Sequence, residues 1–322
     1  MTDILFFKPF FSHTIWGGTR LREDFEYDEP GEDLGECWGI SGHPSGMCYV
    51  KGGEYDGRSL ADLWQNESQL FGRTSTDGDT DKGSPFPLLI KIIDAKSDLS
   101  IQVHPDDEYA RVHENGSLGK TECWYILDCP EDGKLVVGHN ASSREELASM
   151  IENGRWSELI RELPVKKGDF IQIDPGTMHA IKGGVMLLET QQSSDITYRV
   201  YDYDRLQNGK PRQLHIRQSI DVMTVPAAAP EESVQHFGEA TECGLQQLYR
   251  CGYYTVYRGA VKESESGVLR IRREHPFLNL SVIDGSGTVE GKPVKKGDHM
   301  ILTAAKDEYT LGGDMEVILS GI

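Results

Sequence analysis

Two histidines and a glutamate, His104 in SIQVHP, Glu122 in KTECWYIL and His179 in DPGTMHAI, are residues of the types that hold a divalent metal ion. Gln102 and His104 stand two apart on an expected strand, so their side chains project from the same face. The same parity sets Glu122, Trp124 and Ile126 on one face of the next strand, with Cys123 and Tyr125 on the other. A carboxylate on a buried face needs a cation, because an unpaired one is expensive to desolvate. Pro175-Gly176 supplies a turn, after which a short strand places His179 and Ile181 together. A lone strand histidine is more often a surface or hydrogen-bonded core residue, but three such side chains from separate strands fit the two-His-one-carboxylate set of catalytic zinc sites. The same set also serves non-haem iron. Lys120, two residues before Glu122, shares its parity and can reach the cavity mouth. Arg199, in QQSSDITYRVYDYDR, shares parity with Asp195 and Tyr201 on an expected strand, so Asp195 can orient it or transfer a proton. A surface salt bridge is the plain alternative for Lys120 and Arg199.

The elements that must position these groups are mostly strands. Apolar segments are short, alternating and bounded by Gly, Pro, Asp or Asn, the pattern of an antiparallel β protein. Helices are expected from Ser59 to Phe71 with Gly72 as the stop, from Ser143 to Gly154 with a capping box of Ser143 and Glu146, and in a short piece after Pro105. The acidic run from Gly72 to Gly83 has no apolar period and reads as an exposed loop. An internal repeat organises the rest: the segment from Pro164 to Glu189 aligns without gaps to the one from Pro293, and both open with Pro-Val-Lys-Lys-Gly-Asp. Each copy is expected to give a turn, a strand, a second turn and a Gly-Gly hairpin before a further strand. His179 aligns with Glu308, and Pro175-Gly176 with Ala304-Ala305, so the first barrel carries the chemistry and the second is structural. The Pro/Ala-rich segment from Val225 to Ser233 divides a catalytic domain, 1–228, from a C-terminal domain, 229–322, without metal ligands.

Composition narrows the class of partner. A formal net charge of −19 speaks against nonspecific binding to nucleic acid or to an anionic membrane surface, so an anionic substrate needs a locally basic site. The N-terminal residues lack the features of a signal peptide and no stretch approaches the apolar length of a membrane span, which makes a cytoplasmic protein the expectation. Six cysteines without a CxxC pair are expected to be reduced and packed.

The motifs IQVHPDDEYA, GKTECWYIL, DPGTMHAI and LETQQSSDITYRVYDYDR, with WGGTRL and GECWGIS nearer the N-terminus, closely resemble those of the type I phosphomannose isomerases in their shorter bacterial form. The likeness extends over most of residues 6 to 220 and continues weakly into the second barrel. It implies a mainly β fold of two cupin (jelly-roll) barrels with a few short helices and one zinc ion in the N-terminal barrel. The implied reaction interconverts mannose 6-phosphate and fructose 6-phosphate through an enediol. By the resemblance His104, Glu122 and His179 are zinc ligands, and Gln102 matches a further ligand of some members. Arg199 matches an active-site arginine, Lys120 and Asp195 match residues that contact substrate or assist proton transfer, and Trp16 of WGGTRL is expected to contact substrate. The catalytic base stays open among Asp195, Lys120, Glu36 and a metal-bound water. Cys37 and Gly39 depart from many relatives, and the long helical insertion of the larger enzymes is missing or reduced, which leaves substrate detail open. Rival readings are an iron oxygenase, a cupin-type phosphoglucose isomerase and a sugar-binding cupin without catalysis. A monomer or a small homo-oligomer fits equally.

Overall fold

The short apolar runs fold into antiparallel strands in a computed structural model that describes residues 2–73, 83–238, 240, 242–263 and 267–322. A seven-stranded sheet has the order Val234–His236, Asp169–Ile173, Glu122–Asp128, Met186–Gln192, Leu88–Asp94, Leu34–Ser41, Phe10–Gly18. A five-stranded sheet has the order Tyr198–Tyr201, Ile101–Val103, His179–Ile181, Lys134–His139, Ile160–Pro164. Trp16, Trp124, Ile126 and Ile171 of the first sheet and Leu135, Val137 and Ile181 of the second make one buried cluster, the interior of the N-terminal jelly roll.

Both sheets are covered on their outer faces too. Cys123, Tyr125 and Phe170 pack outward against Leu248, Tyr254, Phe277 and Ile318 of the C-terminal half, which agrees with the parity expected for Cys123 and Tyr125. Ile101, Val103, Val136 and Ala180 lie under apolar residues of the helices Arg144–Glu152, Trp156–Leu159 and Ile216–Val222. Strands of the C-terminal half, with Ile4–Lys8 and Tyr49–Val50 at one edge, build a nine-stranded sheet around a cluster that includes Val261, Leu280, Val282, Met300, Tyr309 and Val317.

The repeat is visible as geometry. In both Lys-Lys-Gly-Asp turns the aspartate carboxylate accepts from the backbone N–H of the first lysine, three residues back, Lys166 to Asp169 at 2.9 Å and Lys295 to Asp298 at 2.8 Å. Gly168 and Gly297 take left-handed φ values of 86° and 91° there, a conformation that disfavours any side chain. The copies then diverge. Gly183-Gly184 separates two strands, whereas Gly312-Gly313 lies inside the single long strand Glu308–Gly321, where it pairs with Gly287 and Thr288. The expected division near residue 228 is crossed in both directions. The first strand, Ile4–Lys8, pairs with His299–Leu302 of the C-terminal sheet, and Val234–His236 pairs with Asp169–Ile173 of the N-terminal one.

The helix expected from Ser59 to Phe71 breaks at Glu67, giving an α-helix Leu60–Asn66 and a 3-10 turn Ser68–Phe71 capped by left-handed Gly72. Ser143 caps Arg144–Glu152 by accepting from the Glu146 N–H, but the Glu146 carboxylate reaches past it to the N–H of Ser142, so the capping box is only half formed. The piece after Pro105 is the helix Asp107–His113, capped by Asp106. The acidic run falls largely on residues 74–82, outside the described residues.

His299, aligned with Phe170, is buried between the halves, its Nδ1 2.8 Å from Ser281 Oγ and its Nε2 2.9 Å from Tyr27 Oη. A Cβ on Gly39 would meet this ring at 2.3 to 2.4 Å. Gly39→Ala is therefore expected to cost about 1–3 kcal/mol of stability by overpacking, read as a lowered melting temperature.

Candidate metal centre and active-site cavity

Glu122 opens the strand Glu122–Asp128 inside the seven-stranded sheet, while His104 directly follows the strand Ile101–Val103 and His179 opens its neighbour in the five-stranded sheet, so the three meet across the jelly-roll interior. Their ligand atoms lie within 4.8 Å of one another and all three side chains are buried. Each histidine turns one nitrogen to a backbone carbonyl, His104 Nδ1 to Ile196 O at 2.7 Å and His179 Nδ1 to Thr177 O at 2.8 Å. A carbonyl only accepts, so Nδ1 carries the proton and the Nε2 lone pair points into the cluster. Burial, joined by the Lys120 charge, pushes the His104 imidazole down to about 3, and burial lowers His179 as well, which favours the neutral form that can bind a metal.

Glu122 is the observation that calls for a cation. Both its oxygens are sealed from solvent without a well-directed hydrogen bond. His104 Nε2 stands 3.4 Å from Oε2, and His179 Nε2 stands 3.2 Å from Oε1. Imidazole lone pairs facing a carboxylate repel, and a cation between them removes the repulsion. Tetrahedral zinc bonds of about 2.0–2.2 Å place ligand atoms roughly 3.3–3.6 Å apart, so the observed separations are of the right size. Gln102, in register with His179, has its side-chain amide 3.3 Å from His179 Nε2, within reach of the same centre.

Lys120 lies where its parity places it, 5% exposed, with Nζ 2.8 Å from Glu122 Oε2 and 3.1 Å from His104 Nε2. Burial works to neutralise it, but Glu122 and then Glu189 outweigh burial and raise its pKa, so it stays charged. Burial likewise opposes ionisation of Glu122, and Lys120 overcomes it, holding that carboxyl well below the usual range.

Gln102 and Lys120 form part of the wall of a cavity of about 230 Å³, which Trp16, Trp38, Glu36, Lys91, Glu189, Asp195, Arg199 and Arg212 also line. Trp16, Asp195 and Arg199 are thus gathered on one cavity with the groups around the metal cluster. The expectation that Asp195 orients Arg199 is not met. The strand begins only at Tyr198, leaving Asp195 in the preceding loop, where it accepts from Ser45 Oγ at 2.7 Å. Arg199 is held by Ser100 Oγ at 3.2 Å and Gln213 O at 3.0 Å, beside its register partner Gln102.

Three charged residues of the cavity were not singled out from the sequence. Lys91 and Glu189 are cross-strand partners, flanked in register by Trp38 and Trp124. Lys91 Nζ lies 3.4 Å from Glu189 and 3.8 Å from Glu36, and 4.6 Å from the Trp38 ring centre. Burial, then the Glu122 charge, raises the Glu189 pKa. A lone lysine inside the wholly buried run LLIKIID is the signal that could have found this pair. Arg212 follows the exposed ribbon Leu206–Gln207 and Lys210–Pro211 and has no such signal.

A jelly roll whose two sheets gather two histidines and a glutamate directly behind Gln102 and Lys120 of a polar cavity wall is a cupin with a candidate mononuclear metal centre. The family models match in two pieces, phosphomannose isomerase type I, catalytic domain, over residues 4–126, and mannose-6-phosphate isomerase, cupin domain, over residues 245–322. The chain is 47% identical to mannose-6-phosphate isomerase ManA of Bacillus subtilis, covering 99% of each, and 45% identical to mannose-6-phosphate isomerase of Streptococcus mutans, covering 99% and 98%. A crystal structure of mannose 6-phosphate isomerase from Bacillus subtilis superposes with TM-score 0.90 at 43% identity over the whole of both chains. A mannose 6-phosphate isomerase bound with zinc and yttrium shares the fold at TM-score 0.80 and 14% identity over 99% of each chain. The chain belongs to the type I mannose-6-phosphate isomerase family.

Proposed function

We propose that this protein is a zinc-dependent mannose-6-phosphate isomerase of the cytoplasm, converting mannose 6-phosphate and fructose 6-phosphate into one another through an enediol. The observation that carries the reading is the paired requirement of the site: a buried His104-Glu122-His179 set needing a cation, beside a cavity whose wall gathers Lys91, Lys120, Arg199 and Arg212 in a chain of net charge −19. The names of the relatives at 45–47% identity and the zinc in a structural neighbour support it. Among the described residues no helix is long and apolar enough to cross a membrane.

His104, Glu122 and His179 would hold the ion, with Gln102 as a further ligand. Zinc there supplies Lewis acidity toward the sugar oxygens at C1 and C2. The residues do the rest. Lys120, kept protonated by Glu122, donates to the oxygen that gains charge as the carbonyl becomes an enediol. Arg199, fixed through Ser100 and Gln213, adds a positioned cation for the enediolate. Asp195 is the carboxylate assigned to carry the proton between C2 and C1, since its hydrogen bond comes from the neutral Ser45 hydroxyl whereas Glu36 faces the Lys91 ammonium, and protonating it would give up that ion pair. Trp16 and Trp38 wall off the sugar ring from water.

The test offers purified protein mannose 6-phosphate and glucose 6-phosphate and follows fructose 6-phosphate. Turnover of the mannose ester with little from the glucose ester is expected. The reverse preference would move the chain to a phosphoglucose isomerase role, and turnover of neither would sink the reading.

A further inference from the structure

The carboxylates in the cavity wall leave one end of it overcharged. Lys91 is shared by Glu36 and Glu189, and Lys120 faces Glu122. At the other end the only ion-pair partner among the described residues is Asp202, 5% exposed, and it serves both Arg205 and Arg212. Arg199 makes no ion pair there, yet it feels this group: burial and then Arg212 lower its pKa, while Asp202 pulls it back. Arg205 and Arg212 thus share one carboxylate, and Arg199 has none as an ion-pair partner among the described residues.

Asp202 also fixes geometry. Arg212 Nε donates to Oδ2 at 2.7 Å and Nη2 to Oδ1 at 2.5 Å, a bidentate fork that leaves Nη1 without a partner among the described residues. Arg205 Nη2 donates to the same Oδ1 at 2.6 Å, and Arg205 Nη1 donates to Asp98 O. On Arg199, Nη2 is likewise unengaged. The carboxylate joins the end of the strand Tyr198–Tyr201 to the returning chain at Arg212, and so clasps the base of the ribbon Leu206–Gln207 and Lys210–Pro211. Among these arginines, Arg199 and Arg212 line the cavity.

We infer that Arg212 binds the phosphate dianion of the substrate through its free Nη1, leaving Arg199 to the enediolate, and that Asp202 is the positioning residue that aims it. The inference rests on the isomerase reading above and adds the group that discriminates a phosphorylated sugar. A guanidinium fixed on the cavity wall with Nη1 free offers a phosphate oxygen a directed donor that a mobile lysine lacks.

The test compares Arg212→Gln and Asp202→Asn with wild type in steady-state turnover of mannose 6-phosphate and in competitive inhibition by inorganic phosphate. For Arg212→Gln the account expects KM to rise on the order of 10–100-fold, with the phosphate inhibition constant rising alongside and kcat changing far less. Asp202→Asn separates aiming from charge. If Asp202 positions Arg212, its loss raises KM and the phosphate inhibition constant roughly 10-fold despite the added net positive charge. If KM falls instead, Asp202 only tempers charge and the positioning role is wrong. Loss of kcat with an unchanged phosphate constant in Arg212→Gln would overturn the anion site itself. Melting temperatures identify a misfolded Asp202→Asn, and the cavity-wall variant Arg212→Gln then decides alone. Failure of the parent reading is distinct, because wild type would then not turn over mannose 6-phosphate.

Discussion

Glu122→Gln is expected to abolish metal retention and to lower turnover by on the order of 10³-fold, since several kcal/mol of electrophilic stabilisation are lost at about 1.4 kcal/mol per tenfold. The substitution preserves shape and removes one charge. That charge sits between His104 Nε2, His179 Nε2 and Lys120 Nζ, all within 3.4 Å of its oxygens. Without it Lys120 remains buried with its partner gone, and breaking a buried pair costs about 3–5 kcal/mol before any proton loss by the lysine. The variant should therefore melt lower than wild type even when both are free of metal. Elemental analysis, turnover and thermal melting on the same preparation check all three effects. A variant that kept wild-type turnover would remove Glu122 from the centre.

Arg199→Ala should separate chemistry from metal binding. Arg199 neighbours Gln102 in register but touches none of the three central residues, so metal content should stay at the wild-type level. Removing one positioned donor to a developing oxyanion lowers kcat by about 10²–10³-fold, and Arg199→Lys should recover only part of this because an ammonium cannot hold the contacts to Ser100 and Gln213 together. Intact turnover with wild-type metal content would make Arg199 a structural residue.

What could be read from the sequence was whatever a local pattern encodes. Strand parity correctly set Glu122 and Trp124 inward and Cys123 and Tyr125 outward, because a residue's face in a strand depends only on counting by two. The repeated Lys-Lys-Gly-Asp turn was legible because its conformation is stored in a glycine and an aspartate that act within four residues. Asp195 and Arg199 do line one cavity, but parity could not give their contacts, since the strand starts only at Tyr198 and Asp195 lies in the loop before it. Lys91 and Glu189 escaped notice for a different reason. They lie about a hundred positions apart in sequence, and only the register between Leu88–Asp94 and Met186–Gln192 makes them partners. Arg212 depends on how the ribbon before it folds back onto Asp202. The insertion of Ile4–Lys8 into the C-terminal sheet is of the same long-range kind: nothing in its alternating apolar residues says which sheet edge they will meet.

The central claim is that a metal held by His104, Glu122 and His179 makes this protein an isomerase of mannose 6-phosphate. Its most direct test is fructose 6-phosphate formation from mannose 6-phosphate by wild-type protein before chelation, after complete removal of metal, and after addition of one equivalent of zinc. The account predicts activity that disappears with the metal and returns with zinc at one ion per chain. Full activity in protein shown to be free of metal would contradict it.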